Sequence, residues 1–155
     1  MKIGIIVHSQ TGNTLSVARK LQEKLTAAGH SANIEKISPV DVKQTDIKKI
    51  RLEKLPDLSA YDAFIFAAPV QAFSLSPVMR LYLPQLPSLN DKEVACFVTK
   101  GLVFKWTGGN HAISQLKKGI ESKGGKVIDT DVIVWAGAGR EKAIAEVVDK
   151  FSKLF

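Results

Sequence analysis

Five apolar runs of strand length punctuate the chain, and most of the intervals between them carry apolar residues at three- and four-residue spacing. Ile3-Gly4-Ile5-Ile6-Val7, Ala63-Phe64-Ile65-Phe66-Ala67-Ala68 and the run from Val94 to Val98 are continuous, as strands buried on both faces of a parallel sheet require. Ser31 to Ile37, anchored by Ile34 and Ile37, and Lys126 to Trp135 complete the set. Leu15, Ala18, Leu21, Leu25 and Ala28 recur at helical spacing, with Arg19, Lys20, Glu23 and Lys24 on the other face and Gly29 as the stop. Ser76 caps a second helix with Pro77 at its first position and Val78, Leu81 and Tyr82 on one face, ended by Pro84 and Pro87. Ile113, Leu116 and Ile120 mark a third helix closed by Gly124-Gly125. Ile144, Val147, Val148 and Phe151 mark a fourth after the Gly137-Ala138-Gly139 turn. From Ser38 to Ala60 the pattern weakens: Val42, Ile47 and Ile50 could line a short helix with Leu52, Leu55 and Leu58 in a loop beneath it, but Pro39 and Pro56 interrupt regular structure. The alternation predicts one α/β domain over residues 1–155, an open five-stranded parallel sheet of order 2-1-3-4-5 with helices on both faces.

Composition sets bounds on this picture. A chain of 155 residues, 45% hydrophobic and 24% charged, is long enough to bury a core of its own. Its apolar runs are too short to span a membrane, and Met1-Lys2 with five apolar residues is too short for a secretory signal, so a cytoplasmic protein is expected. Cys96 lies within an apolar strand and reads as a reduced core thiol. His8, His30, His111 and Cys96 have no metal-ligand spacing, and no metal is predicted. The net charge of +7 favours acidic partners. The cations Lys43, Lys48, Lys49, Arg51 and Lys54 are interleaved with Asp41, Asp46 and Glu53, and no helix-turn-helix, zinc-finger or RNP pattern is present, so no specific reading of nucleic acid is predicted.

The candidate chemistry lies at strand ends. Ser9-Gln10-Thr11-Gly12-Asn13-Thr14 joins the first strand to the first helix. Gly12 permits a tight turn, the first helix amides lack intrahelical partners, and hydroxyl and amide side chains surround the same point, all of which suits a phosphate. Helix capping alone would use such residues singly, not four around one glycine. The loop has no lysine and one glycine, so it is neither a Walker A loop nor a dinucleotide fingerprint. If the strands are parallel, two further loops meet it where the strand order reverses. One is Pro69-Val70-Gln71-Ala72-Phe73-Ser74-Leu75. The other runs from Thr99 through Lys100, Gly101, Phe104 and Trp106 to Gly108-Gly109. Aromatics on two loops facing a phosphate cradle suit a planar ring with one phosphate tail, the size of FMN. A phosphoacceptor domain of similar topology would need acidic residues where His8-Ser9 and Ala68-Pro69 stand.

With these residues in view, the sequence resembles the flavodoxin family over nearly its whole length. The loop at residues 9–14 is similar to that family's phosphate loop, Tyr61 to Val70 to the strand and Pro-Val turn opening its second flavin loop, and Ala95-Cys96-Phe97-Val98-Thr99 with Gly108-Gly109 to its fourth strand and third loop. The resemblance implies FMN, its phosphate on Ser9, Gln10, Thr11, Gly12, Asn13 and Thr14. The ring would lie between Pro69, Val70, Gln71, Ala72, Phe73 on one side and Thr99, Lys100, Gly101, Phe104, Trp106, Gly108, Gly109 on the other. Gln71 stands where many relatives place an aromatic, so Phe73, Phe104 or Trp106 would supply the stacking. Ala72 stands near a glycine whose peptide flips toward the flavin in electron-transfer members, and a positive φ costs alanine more. Electron-shuttle members are typically acidic, and this chain is basic. One lysine, Lys100 or Lys105, about 6 Å from a reduced, anionic ring at an effective dielectric of about 20 would favour reduction by up to about 2.8 kcal/mol, roughly 120 mV for one electron.

Two functions follow. The first is an FMN electron carrier between acidic redox partners, with no catalytic acid or base. The alternative is an FMN-dependent NAD(P)H oxidoreductase reducing a quinone or similar acceptor, possible as an oligomer. A flavin-free interaction domain is a third reading, which failure of FMN to bind would support.

Overall fold

The computed structural model describes residues 1–101 and 108–155. Five strands, β1 (Lys2–Val7), β2 (Ser31–Lys36), β3 (Ala63–Gln71), β5 (Glu93–Lys100) and β6 (Lys126–Val134), form a parallel sheet in the order β2-β1-β3-β5-β6. In strand count this is the expected 2-1-3-4-5. A two-residue strand β4 (Ser74–Leu75) pairs antiparallel with the end of β3. The helices are α1 (Asn13–Ala27), α2 (Pro77–Tyr82), α3 (Gly109–Glu121) and α4 (Arg140–Ser152), with a 3-10 turn at Leu83–Gln85 after α2.

Strand periodicity divides the apolar residues between two layers. Ile3, Ile5, Val7, Ala63, Ile65, Ala67, Ala95 and Phe97 pack with Val17, Leu21 and Leu25 of α1 and Ile144, Val147 and Phe151 of α4. Ile6, Phe64, Phe66, Cys96 and Val98 pack with Val78, Met79 and Tyr82 of α2 and Ala112, Leu116 and Ile120 of α3. Each fully buried Ile or Phe contributes about 1.5–3 kcal/mol of transfer free energy, which explains why continuous apolar runs, not alternating ones, mark the central strands. On the helices the reading needs small changes: Val17 is wholly buried, while Ala28 lies outside α1 and is exposed.

One stretch differs from expectation, and another that the sequence left open is now defined. The β3 run does not end in a loop at Pro69. It continues to Gln71 and folds back through β4, because Pro69 and Val70 keep extended geometry and the chain turns only at Ala72-Phe73. No helix forms between residues 38 and 60. There the carboxylates of Asp41 and Asp46 accept hydrogen bonds from the amides of Lys43 and Lys48, at 2.9 and 3.0 Å, closing local turns that compete with a helix. Pro39 bridges Leu52, Val42 is exposed, and Ile50, Leu52 and Leu55 pack down on the core beside buried Leu58.

Candidate functional site

The chain leaves β1 toward β2 on one side and β3 on the other, so a crevice opens at the carboxyl ends of β1, β3 and β5. The first wall is the loop at residues 9–14. Gly12 takes φ +91°, a left-handed conformation natural to glycine, and starts α1 without a side-chain cap. Ser9 Oγ accepts from the Leu15 amide at 3.2 Å. Among the described residues no group accepts from the amides of Gln10, Thr11, Gly12, Asn13 or Thr14. Five consecutive donors at a helix N-terminus, with Thr14 only 1% exposed, are the arrangement that holds an anion. Thr14 Oγ1 and Thr99 Oγ1 lie 2.8 Å apart and buried, tying α1 to the end of β5. Two hydroxyls carry two protons and their mutual bond uses one, so the pair keeps a donor for a phosphate oxygen. Thr11 is exposed and its hydroxyl is not engaged by the described residues. The donor set therefore fits a phosphate monoester.

The second wall is the β3–β4 hairpin. Gln71 faces Ser74, leaving Ala72 and Phe73 as a two-residue turn with φ of 49° and 63°. Both central residues at positive φ make a type I′ turn, which elsewhere selects Asn-Gly. The positive φ that costs alanine more than glycine is already adopted by Ala72 in this fold. The restraints are visible. Gln71 Nε2 donates to Gln10 Oε1, joining the hairpin to the phosphate loop. Ser74 Oγ and the Leu75 amide both donate to Gln115 Oε1 of α3, at 2.9 and 2.8 Å. Gly108, at φ +96°, lies against the Phe73 backbone so closely that a Cβ there would overlap the Phe73 carbonyl. Gln115 escaped the sequence reading because it lies mid-helix, 40 residues from its partner.

The third wall begins with Thr99, Lys100 and Gly101 and ends with Gly108-Gly109, where α3 starts. Thr99 pairs in register with Pro69 of β3. Lys100 is 7% exposed, and its stem would lie 3.1 Å from a Cβ at Gly109, so it does not extend into solvent. Phe104, Lys105 and Trp106 lie outside the described residues. Of the expected site residues, Ser9 to Thr14, Gln71 to Phe73, Thr99, Lys100 and Gly108 come together around the crevice. Pro69 and Val70 belong to β3 itself, with Val70 packed on the core. Gly101 is an exposed bend with nothing near its α-carbon side position.

Two further groups frame the site. His8, at the end of β1, is buried, and its Nδ1 lies 2.9 Å from Ser76 Oγ, the cap of α2. Burial lowers its pKa to about 4, so the imidazole is neutral near pH 7. Burial pushes the Cys96 thiol up to about 12, as a core thiol requires. Trp135 packs partly into the core, with the Arg140 guanidinium 5.2 Å from its ring centre. Among the described residues no group of His, Cys, Asp and Glu side chains could hold a metal ion, and no helix is long and apolar enough to cross a membrane.

Comparison with known proteins gives this geometry a family. A flavodoxin domain model matches residues 4–144. A search of curated protein sequences gives no match. Among solved structures, the flavodoxin of Streptococcus pneumoniae TIGR4 superimposes with a TM-score of 0.73 at 19% identity, covering 99% of this chain and 96% of that one. A flavoprotein of Lactobacillus acidophilus NCFM, solved in complex with FMN, gives 0.67 at 19% identity, covering 98% and 99%. The two-electron reduced flavodoxin of Megasphaera elsdenii gives 0.59 at 21% identity, covering 96% and 98%. At these identities the structures establish the fold, and the match over residues 4–144 establishes the family: the chain belongs to the flavodoxins.

Proposed function

We propose that this protein binds FMN and carries electrons between redox partners. The observation that carries the reading is the run of five amides at residues 10–14, unpaired among the described residues, which sits beside a buried hydroxyl pair. The amides and the hydroxyls of Thr11 and Thr14 would hold the phosphate, with the α1 dipole favouring its charge. The hairpin turn at Ala72-Phe73 and the end of β5 would flank the ring. When bound, FMN supplies one- or two-electron chemistry. The chain's own residues bind it, orient it and exclude water, and no side chain in the described crevice is placed as a catalytic acid or base. Buried Lys100, in the third wall, would favour the reduced, anionic form and raise the potential relative to an acidic site. The net charge of +7 supports a partner with an acidic surface.

The test is anaerobic stepwise reduction of the FMN-saturated protein, followed by visible absorbance. Two separated one-electron steps support a carrier. A single two-electron step, with flavin bound, favours the NAD(P)H oxidoreductase alternative, and failure of FMN to bind removes both.

A further inference from the structure

A cavity of about 430 Å³ lies on the far side of the β3–β4 hairpin from Gly108 and the third wall. Its floor is the end of β1, at His8, Ser9 and Gln10. One side is the hairpin at Gln71 and Ala72, another is α2 at Pro77, Val78 and Arg80, and the outer lip is the stretch at Pro39, Val42, Gln44 and Thr45. It shares Ser9, Gln10, Gln71 and Ala72 with the two nearer walls of the crevice, but it opens on the β1–β2 side of β3, whereas the third wall follows β5 on the other side.

We infer that this cavity binds a small aromatic carboxylate. The volume falls within the range of about 300–1,000 Å³ usual for small-molecule sites. Two backbone hydrogen bonds brace the stretch that carries the lip. The Val40 amide donates to the Arg51 carbonyl at 2.8 Å and the Glu53 amide to the Ser38 carbonyl at 2.9 Å, fixing a flap across the β2–β3 connection. Four large apolar side chains are exposed among the described residues; one lines this cavity and two more are chain neighbours of residues that line it. Val42 lines the cavity at 73% exposure, Val40 adjoins Pro39, and Phe73 adjoins Ala72. Concentrated apolar surface around a concavity marks a place where apolar ligand surface is buried. The polar lining carries one cation and no acid. Arg80 donates through Nε to the Leu75 carbonyl at 2.9 Å, and its terminal nitrogens are not engaged by the described residues. Ser9, Gln10, Gln44, Thr45 and Gln71 are neutral, and His8 is occupied by Ser76. An apolar body with one carboxylate matches that distribution, with the guanidinium fork as its anchor. A dianion such as a phosphate finds its stronger site at the amides of the neighbouring loop.

The site needs no flavin, so its test is readable whether or not FMN binds. The probe is 2-naphthoate, titrated into the FMN-saturated protein and into the flavin-free protein, with binding followed by amide chemical shifts. Expected are saturable shifts at residues 8–10, 39–45 and 71–80 with the same Kd in both samples. Naphthalene-2-methanol, the neutral analogue, binds about tenfold more weakly or less, and Arg80→Gln lowers naphthoate affinity to that of the alcohol. Arg80 also borders the groove between α2 and α3. Val42→Asp, at the exposed outer lip, therefore serves as the second variant: it leaves the fold intact and weakens naphthoate more than the alcohol. Displacement of naphthoate by FMN, shifts confined to the α2–α3 groove, indifference to both substitutions, or no saturable binding would each overturn the assignment.

Discussion

Ala72 and Phe73 occupy a turn that L side chains tolerate poorly. A left-handed residue costs about 1–2 kcal/mol when it carries a Cβ, and here two such residues are adjacent. Ala72→Gly removes that cost but adds freedom to the unfolded chain, so a net gain of about 0.5–1 kcal/mol is expected in urea denaturation. No change would mean that the turn is unstrained as it stands. The hydroxyls of the phosphate loop divide in a different way. Thr14→Ala removes one member of the buried Thr14–Thr99 pair and leaves Thr99 unsatisfied, so it costs about 1–2 kcal/mol of stability even without ligand. Thr11→Ala, at an exposed position, leaves stability unchanged and weakens FMN by about 1–3 kcal/mol. Measuring denaturation and FMN affinity on both variants separates the two roles, and equal stability loss in both would contradict them.

Between elements, the joint of most consequence is His8 to Ser76, which fastens the end of β1 to the cap of α2. His8 titrates near 4 when folded and near 6.5 when exposed, so between those values the unfolded chain binds more protons. Stability contributed by the neutral imidazole is full above pH 6.5 and falls as pH drops toward 4, by about 3 kcal/mol at most. His8→Gln should flatten the difference in unfolding free energy between pH 7 and pH 4.5 relative to the parent, and an unchanged slope would assign the acid sensitivity to carboxylates. The same joint shows what sequence makes legible. The strands, their order and the Ser76 cap follow from apolar runs, right-handed crossovers and Ser-Pro spacing, all local or topological signals. The β3–β4 hairpin did not show because Ala72-Phe73 lacks the Asn-Gly chemistry that announces a type I′ turn. It forms through restraints remote in sequence, from Gln10, Gln115 and Gly108. The region from 38 to 60 stayed open in the sequence because two signals compete there: Val42, Ile47 and Ile50 have helical spacing, but Asp41 and Asp46 take backbone amides for local turns.

At the scale of the whole molecule, one ligand across three loops should stabilise every element of the sheet, because each loop closes a different central strand. A ligand that binds only the folded chain adds about 2.7 kcal/mol at a hundred times its Kd. For a domain of this size each kcal/mol raises Tm by about 2–4 °C, so FMN at that excess should raise it by about 5–10 °C. Riboflavin has the same ring and chain without the phosphate. If two charge-assisted bonds at the cradle contribute about 3 kcal/mol together, its Kd is weaker by about 150-fold. At the same concentration riboflavin is then near its Kd, where the stabilisation is about 0.4 kcal/mol and the rise in Tm about 1 °C. Thermal unfolding with the two flavins side by side therefore measures the cradle directly. A large shift with FMN and a small one with riboflavin places the binding energy on the amides of residues 10–14. Equal shifts would move it to the ring walls, to the hairpin and the third loop, and the phosphate loop would then be a helix start and nothing more.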